Sequence, residues 1–75
     1  MTEQNAMNLV NSFVTIDYTK ADGEQRHYDG AFIQNVWTSK ANKVLMTIVT
    51  IDGEYKSLHI DSIVSADKLA IISAY

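Results

Sequence analysis

The chain has no cysteine, no proline, only three glycines and a single arginine, Arg26. Without cysteine there can be no disulfide and no thiolate metal site. A 75-residue domain that lacks such staples must rely on good packing or on an oligomer interface. Without proline every residue keeps its N–H donor, which favours continuous β-ladders. Three scattered glycines cannot build a phosphate loop or a dinucleotide fingerprint, both of which need several at fixed spacing. The longest apolar run, "LAII", is far too short to span a bilayer. The start, "MTEQNAMNLVNS", has neither a basic segment nor a long apolar one, so no signal peptide is expected and the protein reads as soluble and cytoplasmic. Nine acids against six bases give a net charge of −3. That balance speaks against a general nucleic-acid binder, which carries a basic patch, although a local patch stays open.

What is present is periodicity. In residues 3–11, "EQNAMNLVN", Ala6 and Val10 lead to Phe13 at helical spacing, with Met7 and Val14 beside them. Thr2 is the expected N-cap. From Ser12 the period becomes two. Val14, Ile16 and Tyr18 alternate with Thr15, Asp17 and Thr19, the pattern of a half-buried strand. The return segment "EQRHYDGAFIQNVW" splits its apolar residues between two parities, with Gly30 at the break. A glycine there predicts a bulge or a bend. "TSKANK" reads as a polar loop. "VLMTIVTI" is apolar on both faces, which predicts a central strand covered on both sides, with the N-terminal helix as one cover. "EYKSLHI" follows with Leu58 and Ile60 facing in. "IDSIVSADK" reads as a turn with Ile63 and Val64 as plugs, and "LAIISAY" as the last strand.

The triplet Asp-Gly-Glu occurs twice, in "KADGEQR" and "TIDGEYK", each time between two alternating runs. Asp-Gly supplies the positive φ that a tight hairpin needs. The stretches "VTIDYTKADGEQRHYDGAFI" and "MTIVTIDGEYKSLHIDSIV" are thus two similar hairpins. Closing about five short strands into a barrel removes exposed edges. The expected fold is mainly β: one domain over residues 1–75, a helix over about 3–11 and a small SH3-like or Sm-like antiparallel barrel over about 12–75. An open α+β sheet is the second choice.

A helix running into "FVTIDYTKADGE", followed by "KVLMTIVTIDGEYKSLHIDSIVSADK", resembles the Rof family of small Sm-like modulators of Rho-dependent transcription termination. The "GEY…L-x-I-D-x-I" ending is also similar to the core of WYL domains. The Rof resemblance implies a regulator that covers the basic RNA-binding surface of the Rho hexamer through its helix and an acidic face. The WYL resemblance implies a module that senses nucleic acid or small ligands through basic and aromatic residues. In this chain the helix carries only Glu3 as an acid, and Trp37 is followed by Thr38 and Ser39, not by Tyr-Leu.

The candidate residues are few. Asp22, Glu24, Asp52 and Glu54 are explained first by turn chemistry and solubility, and second by an acidic surface that steers a basic protein partner. No calcium-loop spacing of acids is present, so no metal is expected. His27 and His59 each neighbour an acid, but no serine lies in a nucleophile elbow and no paired-histidine zinc spacing occurs. The reading is therefore a noncatalytic module without cofactor. Trp37, at a strand end beside a polar loop, is the candidate exposed aromatic anchor. An alternative nucleic-acid site would combine Arg26, Lys43 and Lys56 with Trp37. A third option is a self-associating module that pairs through the edge of "LAIISAY".

Overall fold

The computed structural model describes residues 1–69. The elements are α1 (Glu3–Met7), β1 (Phe13–Thr19), β2 (Gln25–Thr38), β3 (Val44–Val49), β4 (Tyr55–His59), a 3₁₀ turn η1 (Ile60–Ser62) and β5 (Ile63–Lys68). The strands form one antiparallel sheet in the order β4-β3-β2-β1-β5. The chain is mainly β with one short helix, as its patterning implies. The expected strand over "LAIISAY" lies outside the described residues, apart from Leu69.

Thr2 caps α1 by accepting from the Asn5 N–H at 3.1 Å. The helix stops at Met7 rather than at residue 11. The chain instead turns through Asn11, which holds φ 69, and Asn11 N–H donates to the Ile33 carbonyl at 2.7 Å. This bond anchors the helix end on β2. It also corrects the expected helical face. Ala6 and Leu9 are buried, Val10 packs on the core, and Met7 and Phe13 are exposed. Phe13 already belongs to β1, so helical spacing does not apply to it.

Three hairpins share one design. In the first, Gly23 N–H donates to the Lys20 carbonyl and Lys20 N–H to the Glu24 carbonyl. The same two bonds recur at Thr50–Glu54 and at Ser39–Lys43. Gly23, Gly53 and Asn42 take the left-handed conformation, at φ 90, 85 and 65. Asp22 and Asp52 do not, so these are turns with one left-handed residue and a bulge, not two-residue turns with positive φ at both positions. The fifth residue's N–H is capped by Asp22, Thr50 or Ser39 respectively. The polar loop "TSKANK" is thus a third copy of the same turn, with asparagine in the place of glycine.

β2 carries two irregularities, one spanning Gly30 (φ 80) and one at Gln34. Each extra residue flips the parity. That is why Tyr28, Ala31, Ile33 and Val36 all reach the core although they do not share one parity. The core is built on Val14, Ile16, Ile33, Met46 and Ile48, all fully buried. The expectation that β3 is covered on both faces is corrected. Its Met46 and Ile48 are buried, while Leu45 and Val49 stay half-buried on the outer face, and α1 packs on β2. Ile51 sits in the turn and is exposed.

The segment read as a turn, "IDSIVSADK", contains β5. Ile63 is buried, and Val64 is the unpaired residue of a register shift against β1, so it faces solvent instead of plugging the core. η1 has a further consequence. The edges of a flat five-stranded sheet lie roughly 19 Å apart at the usual strand spacing. Three 3₁₀ residues rise only about 6 Å, yet η1 alone links edge strand β4 to edge strand β5. The sheet must curl. No ladder joins β4 to β5 among the described residues.

Candidate interaction surfaces

Direct cross-strand partners point to the same face of a sheet. On the outer face one such row is apolar across four strands. Phe13 pairs with Phe32, Phe32 with Val49, and Val49 with Tyr55. The Phe13 and Phe32 rings lie 5.0 Å apart between centroids, at 57°. Leu69 extends the row, with its N–H donating to the Phe13 carbonyl at 2.9 Å. Phe13 is 47% exposed, Tyr55 68% and Leu69 41%. The next outer positions are polar: Asn35, Thr47 and Ser57 pair in sequence across β2, β3 and β4.

Further along β1 the outer face is charged. His27 Nδ1 lies 2.6 Å from Asp17 Oδ1, and Nε2 lies 2.8 Å from Asp29 Oδ1. Ser65 Oγ donates to Asp17 Oδ2 at 3.0 Å. Facing two carboxylates, both ring nitrogens donate only when the imidazole is charged. Donation to Asp17, then to Asp29, raises the His27 pKa above its ordinary range. Accepting from His27, and secondarily from Ser65, lowers the Asp17 pKa. With His27 protonated, the trio of Asp17, His27 and Asp29 carries one net negative charge. With Ser65 the cluster holds serine, histidine and aspartate, but the serine donates to Asp17 and both histidine nitrogens face carboxylates. His27 is therefore not arranged as the base of a serine triad.

The turn acids sit at two tips. Phe32 is the common partner of Phe13 and Val49, so the Thr50–Glu54 turn is level with the start of β1. The Lys20–Glu24 turn lies roughly 20 Å further along β2. Each turn glutamate faces a base of its own hairpin. Glu24 contacts Arg26 at 3.2 Å and Lys20 at 3.8 Å, and Glu54 contacts Lys56 at 3.6 Å. Asp22 caps the Glu24 N–H, and Asp52 is exposed in its turn. No group of three acidic or histidine side chains among the described residues is placed to hold a metal ion.

The alternative basic set is divided. Lys43 closes the β2–β3 turn, and Trp37 pairs with Leu45 near that same end. Arg26 pairs with Tyr18, and Lys56 pairs with Ile48 far along β3 from Lys43. Trp37 is 39% exposed, and its indole N–H donates to Thr47 Oγ1 at 2.9 Å, which fixes the ring against the outer face.

The apolar row was missed in the sequence because its members come from separate strands. The signal available was the off-parity pair Phe13 and Phe32 together with the run "VTIDGEY". No helix among the described residues is long and apolar enough to cross a membrane. No family model, curated protein or solved structure matches the chain.

Proposed function

We propose that this protein is a noncatalytic regulatory module that docks a protein partner on the outer face of its sheet. One observation carries the reading: the in-register row Phe13, Phe32, Val49 and Tyr55. The solvent face of an antiparallel sheet ordinarily alternates to polar residues, and here the neighbouring outer positions do. Nothing in the core needs an aromatic row outside it. Exposed aromatics of this kind act as contact anchors. The Asp17–His27–Asp29 trio beside the row, with the turn acids, steers a partner that carries basic residues around an apolar centre. The Rof-like resemblance extends the reading to a partner within the transcription machinery. Affinity capture from native lysate tests it. Replacing Phe13 and Tyr55 together by serine should abolish capture of any specific partner, and Glu24→Lys with Glu54→Lys should weaken it in a salt-dependent way. Capture unchanged by the first pair rejects the proposal.

A second reading places another copy of this chain on the same surface. β4 and β5, the edge strands of the sheet among the described residues, favour it. Sedimentation equilibrium decides, because a mass that stays monomeric at high concentration eliminates this reading.

A further inference from the structure

Where the curled sheet brings edge strand β4 up to the β1–β2 turn, a cleft of about 470 Å³ opens. Tyr18, Lys20, Ala21, Lys56, Leu58 and His59 form most of its wall. The chain as a whole has nine acids and six bases, yet none of the residues around this cleft is acidic. Lys20 reaches Glu24 only at 3.8 Å, while Arg26 lies nearer the same carboxylate at 3.2 Å, so the Lys20 ammonium is only loosely held. Lys56 is held by Glu54 only loosely, at 3.6 Å.

The backbone adds donors. Thr50 N–H donates to the Glu54 carbonyl, which makes residues 50 and 54 a hydrogen-bonded pair. Alternation along the antiparallel ladder then turns the backbone groups of Ser57 and His59 away from β3, toward the open side of β4. Both residues border the cleft. The floor is apolar, formed by the buried Leu58 and by Tyr18, whose ring stacks on Tyr28 at 5.8 Å. Burial and the neighbouring Tyr28 push the Tyr18 phenol up to about 12, so it remains a neutral wall.

We propose that this cleft binds a small organic anion, with a phosphate or carboxylate head on the Lys20 and Lys56 rim and a flat apolar body against Tyr18 and Leu58. The cleft has the size of an ordinary small-molecule site. It is separate from the outer apolar row and stands or falls independently of the docking proposal.

The test is an amide NMR titration with phenyl phosphate, with benzoate, inorganic phosphate and phenol as parallel arms. Phenyl phosphate should shift the Ser57 and His59 amides with a Kd of about 1 mM or below, and added salt should weaken it. Benzoate binding equally well assigns a general anionic head, and weaker benzoate binding assigns a phosphate. Lys20→Gln with Lys56→Gln should weaken binding about tenfold or more, while the β1 and β5 amides keep their positions. If that double variant does not fold, Lys56→Gln alone is read. No shift at these amides up to about 10 mM, or affinity unchanged by the lysine substitutions, overturns the proposal. Phenol binding as tightly as phenyl phosphate overturns the anionic head, and inorganic phosphate doing so overturns the apolar body.

Discussion

His27 is held between two carboxylates from two strands, and this arrangement ties stability to pH. Its folded pKa is raised, so its contribution is complete below the ordinary value of 6.5 and is lost as pH rises through the raised midpoint. Asp17 is lowered from 3.8, so its contribution is present above that value and is lost as pH falls through the lowered midpoint. The pair therefore stabilises the β1–β2–β5 junction most between these limits. The side chains are about half exposed, which keeps the effect small. An NMR titration of the His27 ring should give a midpoint above 6.5, and Asp17→Asn should lower it more than Asp29→Asn. A midpoint at or below 6.5 in the unmodified protein would contradict the geometry. His27 was visible in "HYD" as a neighbour of acids. Its partner Asp17 was not, because only the ladder that aligns Asp17 with His27 brings them together.

Elements were legible where local chemistry decides them and illegible where register does. Gly30 as a bulge and both Asp-Gly-Glu turns follow from backbone conformations that glycine alone adopts cheaply. The β2–β3 turn was hidden because Asn42 does what glycine does elsewhere. Gly53→Ala should destabilise the protein by about 1 kcal/mol in urea unfolding. A Cβ at Gly53 meets nothing within 4 Å, so the loss is conformational. Asn42→Gly should be neutral or slightly stabilising. If Asn42→Gly costs as much as Gly53→Ala, the shared turn design is wrong. β5 escaped notice because its bulge at Val64 breaks the alternation that would have revealed a strand. At the centre of the sheet, Ile33→Ala removes a fully buried side chain and should cost about 2–5 kcal/mol. That is a large share of the stability of a domain this small.

At the scale of the molecule, patterning gave the class, and the three-residue link through η1 gave the curl. Neither gives a partner. The candidate acids illustrate the limit. The turn geometry explains Asp22, and local ion pairs engage Glu24 and Glu54. The surface that stands out is the apolar row, assembled from residues that no linear motif connects. Replacing Phe13 and Tyr55 by serine should change stability by about 1 kcal/mol or less, since both are exposed and, among the described residues, only Phe13 of the two has an aromatic partner. A much larger loss would mean that the row serves the fold rather than a contact. The most direct measurement places a photocrosslinking amino acid at position 55, or for comparison at the exposed Lys40 position, and irradiates the protein in native lysate. Docking on the apolar row requires a discrete adduct with another protein from position 55 and none from position 40. No adduct from position 55, or the same adducts from both positions, would contradict it.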